Sequence, residues 1–283
     1  MCSAGELVHL WQRGVLDDEL CGCGEPFSRC PFWAEVGRRA FGGWDRALAE
    51  RMLQLRLRVD RTRHVLLAAT PAFRRREREE YVAVFARLYR AIVATSGCPV
   101  VIDSSKHSSM AYCLRTSSDI DLRVLHVVRD SRGVAYSWTK EVRRPEAGGT
   151  DLMTQYSPGQ SALLWTGHNV ALSLLRLTGA TRRLLRYEDF VADPAGTVAS
   201  VAGFAGVRTD DGPAFLHGSS VELGRTHTVA GNPVRFRTGT MALRRDDDWR
   251  SLLPRRTQRL VGALTLPLLA GYGYLGRSSR SAR

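Results

Sequence analysis

The sequence predicts an α/β protein: three α/β/α layers around a mostly parallel sheet. Two observations carry this. Short apolar, β-rich runs alternate with helix-period stretches. Each run ends in turn and N-cap residues rather than in a hairpin signal. The chain has 283 residues, 44% of them hydrophobic and 24% charged, which suits one large α/β domain with a substantial core. We expect that domain over residues 1–276, followed by a disordered basic tail, 277–283 (RSSRSAR).

Taken in order, 5–14 reads as a loop into a short helix, and 17–32 is irregular and cysteine-bearing. Helical periodicity covers 33–41 and 45–60. After the breaker Ala69-Thr70-Pro71-Ala72, a long amphipathic helix spans 76–96, with Tyr81, Val84, Phe85, Leu88, Ile92 and Val93 on its apolar face. Gly97-Cys98-Pro99 ends it. Residues 100–102 form a short strand with DSSKH at its carboxyl end. Leu122, Val124, Leu125, Val127 and Val128 make a strand of the kind buried on both faces of a parallel sheet, and a helix follows over 134–142. The stretch 141–158 is a polar loop, the segment expected to face an acceptor. A helix covers 159–177, a strand 182–186 and a further helix 194–205. The Gly/Pro/Asn-bearing stretch 215–237 fits a long loop closing over a ligand. Residues 260–276 read as a buried helix broken near Pro267.

Charge is the outlier: +13, with only Lys106 and Lys140 as lysines, so 39 of the 41 basic residues are arginine. A positive field attracts anions. The basic clusters have acidic neighbours: Arg74, Arg75, Arg76 and Arg78 beside Glu77, Glu79 and Glu80, and Arg244 and Arg245 beside Asp246 to Asp248. A one-sided basic stripe with interleaved aromatics is absent, so no nucleic-acid partner is expected. With no signal peptide and no full apolar span, a cytoplasmic protein without stable membrane insertion is expected. Oligomeric state is not legible.

Cys21, Cys23 and Cys30 form C-x-C-x6-C in a Gly/Pro-rich loop. The spacing fits no standard pair of C-x2-C zinc knuckles, and zinc with Cys2 or His9 as fourth ligand, a disulfide and packed free thiols all stay open.

The most informative stretch is LRVLHVVRDSRGVAYSW, 122–138. A strand ends at Arg129, and Asp130 to Gly133 turn the chain into a helix. Anions bind at the carboxyl ends of such strands, beside helix N-termini. An arginine fork with a hydroxyl, here Ser137, suits a phosphate monoester.

Arg129 to Ser137 resembles the 3′-phosphate-binding segment of sulfotransferases that use 3′-phosphoadenosine 5′-phosphosulfate (PAPS). LRYEDFVADP, 185–194, looks like that family's strand-end tyrosine segment near adenine. FRTG, 236–239, with Asp248 and Trp249, is similar to its late basic-glycine loop. GELVHLWQRG, CGCGEPFSRCPFW and VIDSSKH resemble a bacterial branch of these enzymes. The matches run from Gly5 to about Gly273.

The resemblance implies a P-loop nucleotide hydrolase-like sulfotransferase fold and transfer of a sulfuryl group from PAPS to a hydroxyl or amine of a small-molecule or glycan acceptor. It implies Arg129, Ser137, Tyr187, Arg237 and Gly239 as nucleotide-binding residues. Lys106, Ser105 and His107 are the implied catalytic residues, with Asp103 and Glu141 as rivals for the general base. The family mechanism requires no metal, and none is assigned. His126 reads as a core histidine, and His217 and His227 as polar surface of the late loop. Trp138, Tyr156 and Trp165 fit either an acceptor pocket or the core.

One departure matters. The family's opening strand and phosphate loop, G-x-x-R-S-G-[ST]-[ST], are not found in this sequence. The expected fold is therefore N-terminally truncated. A start placed too far downstream is the favoured explanation, since the remaining motifs are undamaged. The alternative is a non-catalytic or partner-dependent module that binds adenosine 3′,5′-bisphosphate. A phosphate-loop kinase fits less well, because G-x-x-x-x-G-K-[ST] is absent.

Overall fold

The computed structural model describes residues 1–70, 72–143, 152, 154–208 and 212–275. Residues 144–151 and 153 of the expected acceptor loop lie outside the described residues, as does the expected tail 277–283.

The chain opens with strand β1 (Cys2–Gly5), although the sequence shows no apolar opening strand. Its sequence, CSAG, carries little β-propensity, so tertiary partners make it a strand. Strand β1 pairs in parallel with β2 (Val101–Asp103) on one side. On the other, Val229 donates to Ala4 O and Glu6 donates to Val229 O. Gly5 permits this approach: its φ is +81°, and a Cβ there would sit 2.3 Å from Val229 O. A 3-10 turn (Leu7–His9) and a π-helical turn (Leu10–Leu16) follow.

Helices α1 (Pro31–Phe41), α2 (Arg46–Val59), α3 (Val65–Ala68) and α4 (Arg75–Ser96) come next. Asp45 caps α2 by accepting from Ala47 N and Leu48 N, and Gly97, in the left-handed region, ends α4. Together with β1, helices α1, α2 and α4 enclose the main core, centred on Trp11, Phe27, Trp33, Met52, Phe85 and Leu88, while α3 packs in a second cluster with Tyr112, Ala171 and Leu175. Within this half, buried Asp60 accepts hydrogen bonds from Tyr81 Oη (3.0 Å) and Ser109 Oγ.

After β2, helix α5 (Ser108–Leu114) leads to β3 (Arg123–Val128) and α6 (Ser131–Thr139). Asp130 caps α6, so the helix starts three residues earlier than its apolar pattern suggested. Helix α7 (Pro158–Leu174) opens with a capping box of Ser157 and Gln160. Strand β4 (Thr181–Arg186) pairs in parallel with β3 in unbroken register. Helices α8 (Tyr187–Ala192) and α9 (Pro194–Phe204) follow.

The stretch 215–237, expected as one long loop, holds strands β5 (Leu216–His217) and β6 (Ser220–Leu223), which form an antiparallel sheet with β7 (Gly239–Ala242) just beyond it. Gly218, at positive φ, turns the chain between β5 and β6. Helices α10 (Trp249–Leu252), α11 (Arg255–Leu264) and α12 (Leu266–Gly271) close the chain, with the break falling just before Pro267 as expected.

The fold is thus mixed α/β, but the expectation of three layers around one parallel sheet needs correcting. Among the described residues the strands form three small sheets, two of them parallel pairs, and no hydrogen bonds join β2 to β3. Each parallel pair therefore keeps an unpaired edge. The expected burial of both faces of β3 fails for the same reason: Val128 and His126 are buried, while Val127 is 54% exposed.

The Asp60 cluster gives a stability test. Tyr81→Phe removes one of its donors in a buried setting, and thermal or denaturant unfolding should show a loss of about 1–3 kcal/mol. An unchanged midpoint would mean that the carboxylate is not held as described.

Candidate functional site

Two turns carry the polar residues singled out by the sequence, each at the carboxyl end of a parallel strand pair.

The first follows β2 and is organised by Asp103. Burial raises its pKa, opposed chiefly by hydrogen bonds from Ser105, then by Tyr89 and Leu7 N. Asp103 Oδ1 accepts from Ser105 Oγ (2.6 Å), Ser105 N (2.9 Å) and Leu7 N (3.3 Å), while Oδ2 accepts from Tyr89 Oη (2.8 Å). Ser105 Oγ in turn accepts from Val8 N at 3.0 Å. These bonds lock the turn after β1 against the turn after β2. Asp103 and the Ser105 hydroxyl are consequently committed to structure. Asp103 is buried and fully engaged, so it is not placed to take a proton from a substrate.

The lock sets Glu6 beside Lys106. The two form an ion pair in which the lysine is largely exposed and Glu6 largely buried. Glu6 Oε2 also lies 3.6 Å from His9 Nε2. Glu6 was not singled out from the sequence, where a glutamate in GEL near a chain start carries no signal. The GE pair makes sense only in the fold: Gly5 admits Val229, and Glu6 reaches Lys106.

His107 follows Lys106, and its Nε2 lies 3.4 Å from Arg56 Nη2. Its ring meets His9 and His168 edge-on, with centroids 5.8 and 6.4 Å away. Burial, then Arg56, lowers the His107 pKa to about 4, and burial, then Arg13, lowers that of His9 to about 3. Both rings are neutral at physiological pH. The remaining base candidate, Glu141, is exposed, with no hydrogen bond or ion pair among the described residues.

The second turn follows β3. Arg129 Nη2 donates to Asp246 O (2.9 Å) and pairs with Asp246 Oδ2 (3.1 Å). Its guanidinium lies over the Tyr187 ring, 5.0 Å from the centroid. Arg129 directly follows β3 as Tyr187 directly follows its neighbour β4, and Val128 pairs with Arg186, so the register of the parallel pair brings them together. Trp165 Nε1 donates to Arg129 O at 3.1 Å, which makes Trp165 part of the scaffold. Trp138 packs edge-on against Tyr156, with centroids 4.7 Å apart. Lys140 also approaches Asp246 Oδ2, at 3.7 Å. Burial alone would raise the Asp246 pKa, but the hydrogen bond and charge of Arg129, with Lys140, hold it below the ordinary value. Asp246 was missed because it lies 117 residues from Arg129 in sequence.

The other nucleotide candidates are not gathered here. Ser137 is exposed on α6 and makes no side-chain hydrogen bond among the described residues. Arg237 is exposed just after the 3-10 turn Pro233–Phe236, its backbone N donating to Val234 O. Gly239, at φ +87°, starts β7.

His126 is a core histidine. Its Nε2 pairs with Asn169 Oδ1 at 2.8 Å, and its Nδ1 faces Arg182 Nη1 at 2.6 Å. His227 is not the surface residue expected. Its Nδ1 lies among the sulfurs of Cys21, Cys23 and Cys30, and neither Cys2 nor His9 takes that place.

No protein-family model matches the chain, and no curated protein does. Among solved structures, the chain is similar to the sulfotransferase domain of the olefin synthase of Synechococcus PCC 7002. The match has 20% identity over 94% of this chain and 92% of that one, with a TM-score of 0.46. That likeness is one of general outline, and the chemistry must be read from the residues.

The buried histidines set a pH dependence. His9, His107, His126 and His168 all lie below the usual 6.5, burial being the first cause in each. The folded chain binds fewer protons at these rings than the unfolded chain does. Their contribution is therefore present above pH 6.5 and lost as pH falls through that value toward about 4. Melting temperature should drop across this window, and imidazole NMR signals of His107 should still report a neutral ring within it. A protonated His107 near pH 6.5 would contradict the assignment.

Proposed function

We propose that this chain is a PAPS-dependent sulfotransferase acting on a hydroxyl or amine of a small-molecule or glycan acceptor. The observation that carries this reading is the Arg129–Tyr187 pair at the carboxyl ends of adjacent parallel strands. A guanidinium fork beside an aromatic face suits the 3′-phosphate and adenine of one nucleotide. Ser137, Arg237 and the Gly239 backbone complete the phosphate site when nucleotide is bound. Asp246 occupies one edge of Arg129 and must yield that edge to the phosphate.

In the transfer step the acceptor oxygen or nitrogen forms a bond to sulfur as the bond from sulfur to the 5′-phosphate oxygen breaks. The electron pair leaves on adenosine 3′,5′-bisphosphate. Lys106 offsets charge growing on the bridging oxygen, and the Ser105 backbone holds the turn that aims it. The acceptor proton goes to Glu6, whose carboxylate already faces Lys106. His107 stands beside this group as a neutral imidazole, but its Nε2 faces the Arg56 guanidinium, which favours Glu6 as the base. No described helix is long and apolar enough to cross a membrane.

Calorimetric titration with adenosine 3′,5′-bisphosphate, with AMP as control, tests the nucleotide site. The reading expects saturable binding that needs the 3′-phosphate. Arg129→Ala should weaken it at least about tenfold, since a charge-assisted contact contributes about 1.5–3 kcal/mol. Asp246→Asn should tighten it, because the competing carboxylate charge is gone. Equal affinity for AMP, or an Arg129→Ala variant that binds unchanged, would overturn the assignment. Binding without sulfuryl transfer from PAPS would leave the non-catalytic binding module as the correct description.

A further inference from the structure

The sulfuryl-transfer reading makes no use of the C-x-C-x6-C loop. In the fold, Cys21, Cys23 and Cys30 converge with His227, which lies 197 residues beyond Cys30. The four ligand atoms all lie within 4.8 Å of one another. Cys30 Sγ is 3.3 Å from His227 Nδ1, Cys21 Sγ is 4.0 Å from it, and Cys23 Sγ is 3.8 Å from Cys30 Sγ. A tetrahedral Zn²⁺ with bonds of about 2.3 Å to sulfur and about 2.0–2.1 Å to nitrogen sets its ligand atoms roughly 3.4–3.8 Å apart. These three separations are close to those edges, and the rest stay within 4.8 Å.

We propose that Cys21, Cys23, Cys30 and His227 bind one Zn²⁺ in a closed Cys3His site that clamps the segment 226–231 to the N-terminal loop. Four protein ligands leave no open position, so the ion is structural.

The surrounding backbone is built for such a site. Cys21 N donates to Glu25 O and Gly24 N to Cys21 O, which curls the loop, with Gly24 at φ +93°. Gly22 N donates to Thr228 O, and a Cβ on Gly22 would meet Thr228 Oγ1 at 2.5 Å. The Phe32 ring stacks on His227 at 5.0 Å and 12°, fixing the imidazole plane. Arg235 spans the same junction by donating to both Thr228 O and Leu20 O.

Other uses of the thiols fit less well. A disulfide would join two of them and leave the third thiol and His227 without a role. An iron–sulfur cluster would place its ligands on separate irons, farther apart than this single compact group. The clamp has a consequence for the neighbouring site. Two residues after His227, Val229 pairs with Ala4 and Glu6, so the ion would hold in register the strand against which Glu6 is seated.

Metal analysis of the full chain, purified without chelator, tests the site, with cobalt substitution as the second readout. The expected result is one equivalent of zinc. Exchange with cobalt should give a thiolate-to-metal charge-transfer band and the intense visible bands of tetrahedral coordination. Cys21→Ser and His227→Ala should lose the metal, whereas Cys98→Ser should keep it. His227→Cys should retain it with a cobalt spectrum shifted toward four thiolates. Should a loss variant fail to fold, the native chain gives the same information. Chelation should expose three further thiols to titration and lower the melting temperature, and added zinc should reverse both. A folded chain without zinc whose three thiols react freely would overturn the proposal. Stoichiometric iron with labile sulfide, or a disulfide between Cys23 and Cys30, would do so as well.

Discussion

Much of the candidate site hangs on one buried carboxylate. Asp103 accepts from the backbone of Leu7, from the backbone and hydroxyl of Ser105 and from the phenol of Tyr89. Each donor belongs to a different piece of the fold: the turn after β1, the turn after β2, and α4. A buried carboxylate without these partners would be strongly unfavourable, so the three pieces are specified together. Glu6 and Lys106 sit on the two turns so joined, and their pairing follows from that join.

The proposed nucleotide corner is built differently. The even register of β3 and β4 sets Arg129 beside Tyr187, and the Trp165 indole fixes the Arg129 carbonyl. The guanidinium is then occupied by Asp246 rather than left open to solvent. An arginine already paired keeps its orientation, and its charge is partly offset until a stronger anion competes. Arg132 and Arg250 stack on Trp249 close by, so the segment that supplies Asp246 is anchored just beyond it. In the proposed site, selectivity rests on whether a dianionic phosphate outbids one carboxylate, a contest set by charge and geometry.

What was legible in the sequence follows the range of the interactions involved. The strand ending at Arg129, its Asp130 cap and the amphipathic α4 are written in local pattern, and their bounds fall close to those expected. Strand β1 is not, because CSAG becomes a strand only through β2, whose Val101 pairs with Cys2, and through Val229, which bridges Gly5, both far away in the chain. The same holds for Asp246 on Arg129 and for His227 among the cysteines. A C-x-C-x6-C run shows three ligands and gives no hint of which distant residue is the fourth. The start of the stretch 215–237 misled for the opposite reason: Gly218 serves the tight turn of an antiparallel pair, and composition alone reads it as loop.

The proposed nucleotide site lies at the corner between β3 and β4, and a crystal structure of the chain with adenosine 3′,5′-bisphosphate tests it most directly. The 3′-phosphate is expected against the Arg129 guanidinium, with Asp246 displaced from that edge and the adenine beside Tyr187. A nucleotide bound elsewhere, or an Arg129–Asp246 pair left intact beneath it, would contradict this site.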